Sequence, residues 1–423
     1  MMENKLRVPT LRFPEFASSG SSEGAGDWVE KRLGDIANKI GSGSTPRGGE
    51  KVYQSSGIPF IRSQNVNRNI LILDDMTYIS EEINVSMKNS IVRANDILLN
   101  ITGASIGRSC VVPDSFNIGN VNQHVCIIRL NEDNSSNFIQ PLIASHTGQK
   151  LISQGQTGSG REGLNFQSIR AFKLTLPPLP EQQKIASFLS AVDAKISQLT
   201  QKGALLGEYK RGVMQGIFSQ EIRFRSDDGS EFEGWVERTL GDLCKLQGGY
   251  AFKSFEFLKY GIPVIRISNI SNNNNYIDES NIVYYDNIPN DDNFTIKKGD
   301  LLVAMSGATT GKSSIYNLDE KAYLNQRVGL FRAKKLKINY GFLIQFVFSN
   351  LFIKQLDAVL VAGAQPNISS KDIENFKLNL PSLPEQTKIA NFLSSIDKKI
   401  EQNTQSLEKM KTFKRGLLQG MFV

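Results

Sequence analysis

The sequence predicts an α+β protein written as one unit repeated. Two mixed α/β globules, related by an internal pseudo-twofold repeat, are separated by two long helices that form an antiparallel coiled coil. Three observations predict this. Ordered blocks recur about 204 residues apart, each half strings short β-branched runs between Gly-, Asn- and Ser-rich turns, and each half closes on an apolar stripe of helical period. Bulk properties agree. The chain has 423 residues, of which 40% are apolar and 22% charged, which excludes wholesale disorder and leaves room for two or three domains. Three cysteines, none in a CxxC pair, exclude a disulfide framework and a cysteine-rich zinc site. Met1–Pro14 is charged and lacks the apolar core of a signal peptide, and the longest apolar run, 341–353, is too short and too polar to span a bilayer. No membrane partner and a cytoplasmic location are therefore expected.

The repeat runs in register along the whole chain. Trp28-Val-Glu-Lys-Arg-Leu-Gly-Asp-Ile36 returns as Trp235-Val-Glu-Arg-Thr-Leu-Gly-Asp-Leu243, and Gly57-Ile-Pro-Phe-Ile-Arg62 returns as Gly261-Ile-Pro-Val-Ile-Arg266. Gly103-Ala-Ser-Ile-Gly-Arg-Ser109 matches Gly307-Ala-Thr-Thr-Gly-Lys-Ser313, and Asn122-Gln123 matches Asn325-Gln326. Leu179-Pro-Glu-Gln182 matches Leu383-Pro-Glu-Gln386. These blocks set the boundaries: an N-terminal segment 1–27, globules at 28–176 and 223–380, and helical regions at 177–222 and 381–423.

Within the globules, Ile58–Ile61, Ile97–Ile101, Val125–Leu130, Ile262–Ile267 and Leu301–Ala304 read as strands bounded by turns. Residues 140–151 and 340–361 have apolar spacing that predicts helices. The helical regions follow a proline, which is tolerated in a first helical turn. Ile185, Phe188, Leu189, Val192 and Ile196 recur at three- and four-residue steps, as do Ile389, Phe392, Leu393, Ile396 and Ile400. About 35 residues at 1.5 Å each give a rod on the order of 50 Å. Neither stripe buries itself, so pairing the two helices is the economical arrangement; the competing one lays each helix on its own globule. Leu11-Arg-Phe-Pro-Glu-Phe16 resembles Ile222-Arg-Phe-Arg225, so the chain start reads as the segment that would follow the second helix in a closed ring.

With the Leu-Pro-Glu-Gln helix starts, the Trp…Leu-Gly-Asp blocks, the two Ile-Pro-x-Ile-Arg runs and the Arg-Gly helix ends at Arg211-Gly212 and Arg415-Gly416, the chain resembles the specificity subunit of type I restriction–modification systems. The resemblance implies two target recognition domains, each reading half of a bipartite site in double-stranded DNA. It implies helices that fix the spacer and dock two modification subunits for adenine-N6 methylation, with restriction subunits added. S-adenosylmethionine, ATP and Mg²⁺ would belong to those partners, and this chain would carry no cofactor and no catalysis. A coiled-coil adaptor binding protein or glycan is the alternative, and co-purification with a methyltransferase separates the two. A self-sufficient restriction enzyme is disfavoured, because no Asn-Pro-Pro-Tyr or Asp-Pro-Pro-Tyr methylase motif occurs.

The residues themselves offer little chemistry. Gly307–Ser313 has three residues between its glycines where a phosphate loop needs four, so it reads as a turn after a strand. His124 and His146 lack metal-site partners. Asp74-Asp75, Asp227-Asp228 and Asp291-Asp292 read as solvated turns. DNA reading calls instead for Arg, Asn and Gln at base edges and for Lys, Arg, Ser and Thr at phosphates. The candidates in the first globule are Ser44, Thr45, Arg47, Arg62, Gln64, Asn65, Arg68, Thr102, Arg108, Gln123, His124 and Arg161. In the second they are Tyr250, Lys253, Ser254, Arg266, Ser268, Asn269, Ser306, Lys312, Gln326, Arg327, Gln365 and Asn367. Turn capping or solvation competes at each, and specificity is expected in the divergent loops, 41–51 against 247–259 and 154–162 against 362–367. Lysines and arginines at the helix ends suit the macrodipole, with phosphate contact secondary. The net charge of +7 is small for tight DNA binding by the chain alone.

Overall fold

The structure, a computed structural model, describes residues 9–17, 28–67, 69–157, 163–270, 275–289, 291–334, 336–362 and 367–422. The chain divides into two compact units, residues 1–200 with 405–423, and residues 201–404. Each unit holds one globule, the opening turns of one long helix and the closing turns of the other.

In the first unit, strands Ala37–Ser42, Val125–Leu130, Ile97–Asn100 and Ser109–Val111 form an antiparallel sheet in that order. A second sheet runs Thr77–Ile79, Ile58–Ile61, Gly119–Val121, Ile91–Val92, with Ile58–Ile61 parallel to Gly119–Val121. The second unit repeats the first order as Cys244–Gly248, Val328–Ala333, Leu301–Ala304, Ser313–Ile315. It repeats the other as Val283–Tyr285, Ile262–Ile265, Ala322–Leu324, Thr295–Ile296, again with one parallel pair.

The unbroken apolar runs follow from burial on both faces, because successive side chains point to opposite sides of a sheet. Ile97, Leu99, Cys126 and Ile128 enter the core shared with the helices, whereas Leu98, Val125 and Ile127 enter the core between the sheets. Leu301 and Val303 divide from Leu302 and Ala304 in the same way. The predicted helices at 140–151 and 340–361 are each broken in two. Ser136–Ala144 gives way to His146–Gly155 at Ser145, whose hydroxyl accepts from the Gly148 N–H; Tyr340–Val347 gives way to Asn350–Ala362 at Ser349, whose hydroxyl accepts from the Phe352 N–H. A serine N-cap satisfies the donors that a new helix start exposes, which apolar spacing alone does not reveal. Among the described residues no single helix is long and apolar enough to cross a membrane; the bent pair 340–361 comes nearest, and its Phe342, Leu343, Phe346 and Phe352 lie in the second unit's core.

The long helices run Leu179–Phe218 and Leu383–Met421, 40 and 39 residues. Within each unit their segments run antiparallel: Asp193 pairs with Lys414 and Ile196 lines a cleft with Lys411 in the first, Lys210 pairs with Asp397 and Gly203 approaches Asn403 in the second. The stripes serve both expected arrangements. Ile185, Leu189 and Val192 join the core of their own globule, as do Ile389, Leu393 and Ile396. At the margin of those cores, Phe188 meets Phe13 and Phe413 edge-on, Phe392 meets Phe224, and Ile196 and Ile400 are partly buried.

Candidate nucleic-acid interface

A shared backbone frame brings the predicted loops together at one end of the strands in each globule. In the first, the Asn122 N–H donates to the Ile61 carbonyl (3.1 Å), Ile101 N–H to the His124 carbonyl (3.0 Å) and Leu164 N–H to the Ile101 carbonyl (2.9 Å). In the second, Asn325 donates to Ile265 (3.0 Å), Met305 to Arg327 (2.9 Å) and Ile368 to Met305 (3.0 Å). The Asn122 side chain caps the His124 N–H, and the Asn325 side chain caps that of Arg327. Gly43 and Gly249 let the first loop run against this frame, since a Cβ would lie 1.6 Å from the Val121 carbonyl oxygen in one and 2.1 Å from that of Leu324 in the other.

On that frame the side chains differ. The first globule carries a chain of polar contacts: the Thr45 hydroxyl donates to Gln123 Oε1 (2.8 Å), Gln123 Nε2 meets His124 Nε2 (3.1 Å), and His124 Nδ1 meets the Thr102 hydroxyl (2.5 Å). With the Gln123 amide donating to Nε2, the neutral ring carries its proton on Nδ1 and donates to Thr102. The second globule presents Tyr250, Gln326, Arg327 and Ser306 at the corresponding places, with Ser306 bridged to Asn367 as Thr102 is to Gly163. The Ser306 hydroxyl is buried and has no hydrogen-bond partner among the described residues.

The remaining candidates divide by exposure. Ser44, Arg47, Gln64, Arg108, Lys253, Ser254 and Ser268 are exposed, and Lys312 is half-buried. Arg62 and Arg266 are half-buried and share one feature: the Nε of each is buried without a hydrogen-bond partner among the described residues, although Arg266 Nη2 donates to the Asn281 carbonyl. Asn65 and Asn269 are not offered to a ligand. Both are buried; each accepts from the N–H three residues earlier and donates to the carbonyl of Ile72 or Asp278, so the amides brace their own turns. Arg68, Arg161 and Gln365 lie outside the described residues.

Several groups fall to structural duty. Gly103, Gly107, Gly307 and Gly311 all have positive φ, and a strand rather than a helix follows each turn, so the phosphate-loop likeness ends there. Asp227 pairs with Lys388 and Asp291 with Lys321. Burial pushes the thiols of Cys110, Cys126 and Cys244 up to about 12, which keeps them protonated and unreactive.

The pairing of the Leu-Pro-Glu-Gln motif was missed by sequence reasoning. Glu181 is fully buried, accepts from Arg12 Nε and Nη2 at 2.7 Å each, and accepts from Trp28 Nε1 at 3.4 Å. Glu385, equally buried, accepts from Arg223 at 2.8 and 3.0 Å and from Trp235 at 3.0 Å. The adjacent Gln182 and Gln386 accept from the N–H of Ser135 and Asn339, fixing the helix starts to the globules. Repetition of the Glu, the Trp and the Arg-Phe segments was the available signal. The closed-ring reading also holds: Leu11 N–H donates to the Gly420 carbonyl as Ile222 N–H does to that of Gly216.

Two different sets of polar side chains thus stand on one duplicated backbone frame. Residues 25–206 and 232–412 each match the family model for the type I restriction modification DNA specificity domain. The type I restriction enzyme MjaVIII specificity subunit of Methanocaldococcus jannaschii is 26% identical over 98% of this chain and 94% of its own length. The EcoAI specificity subunit of Escherichia coli is 21% identical over 95% of this chain and 60% of its own. Among solved structures, the type I restriction–modification S subunit from M. genitalium matches with a TM-score of 0.64 at 14% identity, covering 99% of both chains. The chain belongs to the family of type I restriction–modification specificity subunits.

Proposed function

We propose that this chain is the DNA-reading subunit of a type I restriction–modification complex, each globule reading one half of a bipartite site. The observation that carries the reading is the common backbone frame with unlike side chains, Thr45, Thr102, Gln123 and His124 against Tyr250, Ser306, Gln326 and Arg327. One frame gives both globules the same approach to a major groove, and the differing donors and acceptors give them different bases to prefer.

The chemistry is placed on the partners. Two modification subunits hold S-adenosylmethionine and the pocket for an adenine rotated out of the stack, and restriction subunits hold ATP and Mg²⁺. The long helices dock the modification subunits and set the spacer, half-sites one helical turn apart lying about 34–36 Å centre to centre. Leu205, Tyr209 and Phe413, 57%, 54% and 49% exposed on those helices, suit a protein partner.

Motif calling of N6-methyladenine in cells carrying the chain with its modification subunit tests the reading. Exchanging residues 28–176 for those of another family member changes one half of the motif, exchanging 223–380 changes the other, and inserting one helical turn near Leu199 changes the spacer. An exchange that alters both halves or neither overturns the reading.

A further inference from the structure

In the first globule one exposed side chain is held from both ends. Gln123 Oε1 accepts from the Thr45 hydroxyl at 2.8 Å, and Gln123 Nε2 lies 3.1 Å from His124 Nε2. Across the ring, His124 Nδ1 lies 2.5 Å from the Thr102 hydroxyl. The backbone beneath this row is pinned. The His124 N–H donates to Asn122 Oδ1 and the His124 carbonyl accepts from the Ile101 N–H, both at 3.0 Å. Thr102, next to Ile101, is bridged to Gly163.

A carboxamide turned over about its last bond exchanges donors for acceptors, so its neighbours decide what it offers a ligand. A neutral imidazole donates from one nitrogen and accepts at the other, and the partner of the first settles the state of the second. With Thr102 accepting from Nδ1–H, Nε2 is an acceptor, and the NH2 end of Gln123 is the end that satisfies it. Thr45 and His124 each use one hydrogen-bonding position of the amide. One N–H and one oxygen lone pair are left, the combination that adenine takes at N7 and N6. The second globule keeps the amide as Gln326 but has Arg327 in place of His124, and the chain's other histidine, His146, also belongs to the first globule. Ser306, at the position of Thr102, has no hydrogen-bond partner for its hydroxyl among the described residues.

We propose that Thr102 and His124 are positioning residues that fix the amide of Gln123 in one orientation, and that Gln123 so held reads an adenine in the first half-site. This role rests on the DNA-reading function above and names the base that one of its residues recognises. A reversed amide would set N–H against the adenine amino group and a lone pair against N7, so a Gln123 free to turn over loses discrimination that a held one keeps. The relay thus makes specificity depend on a ring whose two nitrogens face other side chains.

The test uses the complex assembled with its modification subunits, with methylation rates measured on substituted duplexes. Gln123→Ala lowers the preference at one position of the first half-site by about 5- to 150-fold, and that position is an A·T pair. Thr102→Val, which removes the acceptor for Nδ1–H, lowers the preference at the same position, whereas Thr102→Ser keeps it. Thr102→Val combined with Gln123→Ala loses no more than Gln123→Ala alone, and the second half-site is read as before in every variant. Magnetic resonance of the full chain carrying isotope-labelled histidine, in mildly alkaline buffer, reads the ring directly, because the chain has two imidazoles. The signals of His124, identified by their loss in His124→Gln, show the proton on Nδ1, and Thr102→Val moves it toward Nε2. A proton on Nε2 in the unaltered chain overturns the relay, as do additive losses in the double variant, which would put Thr102 itself on the DNA. A G·C pair at the affected position, or no affected position, overturns the adenine assignment. Failure of the DNA reading itself shows separately, as globule exchanges that leave the motif unaltered.

Discussion

Removing Arg12 isolates the worth of a buried ion pair in a single unit. Glu181 is fully buried and Arg12 only 14% exposed, and the two guanidinium nitrogens sit at 2.7 Å in a bidentate geometry. Arg12→Ala leaves a carboxylate in the core with the 3.4 Å contact to Trp28 Nε1 as its remaining side-chain donor. Leaving one partner of such a pair uncompensated costs about 3–5 kcal/mol. The protein supplies its own reporter, because it has two tryptophans and each sits against the buried glutamate of its own unit. In a Trp235→Phe background, emission from Trp28 follows the first unit alone. With a urea slope of about 3 kcal/mol/M, the midpoint of that unit falls by about 1–1.7 M. The midpoint of the second unit, followed by Trp235 in a Trp28→Phe background, does not move. Adding Glu181→Gln to Arg12→Ala recovers part of the loss, because the buried charge is gone. A shift below about 0.3 M would place the pair among surface ion pairs worth less than 1 kcal/mol and refute the reasoning.

Gln123→Ala relaxes the motif at a single position of one half-site and lowers discrimination there by about 1–3 kcal/mol, read from methylation rates on substituted duplexes. Gly43→Ala, whose Cβ would overlap the Val121 carbonyl oxygen, displaces the 43–47 loop and abolishes methylation at motifs bearing the first half-site while the chain still binds modification subunits. Cys110, Cys126 and Cys244 resist a thiol-specific reagent at pH 8 until denaturant is added, measured by release of its chromophore. Their thiols are raised from the ordinary 9.0 to about 12, so unfolded thiols ionise first; stability is full below pH 9 and declines as pH climbs from 9 toward 12, visible in urea midpoints across that range.

Much of this molecule is written locally, and that part is legible. Leu-Pro-Glu-Gln marks each long helix because proline and an acidic first turn are helix-start signals, and the doubly buried strands announce themselves as unbroken apolar runs. The breaks at Ser145 and Ser349 escape a periodicity argument, since a serine cap interrupts a helix without interrupting its apolar spacing. Asn65 and Asn269 suited base reading by residue type, yet the three-residue spacing from Arg62 and Arg266 is that of a side chain capping its own turn. The ion pairs of Glu181 and Glu385 join residues 169 and 162 positions apart, and only folding brings such partners together.

The first unit is discontinuous in sequence, and this bears on how the protein is made. Leu417, Met421 and Phe422 belong to the same core as Trp28, Phe138 and Ile185. A ribosome therefore releases residues 28–200 long before residues 405–422, which complete the same core, exist, whereas residues 201–404 form a contiguous stretch able to complete itself first. At about 5–20 residues per second, the first-made half waits roughly ten seconds or more for the last-made helix turns. A frameshift just before codon 405 would accordingly damage the unit whose globule, residues 28–176, is translated ahead of the other.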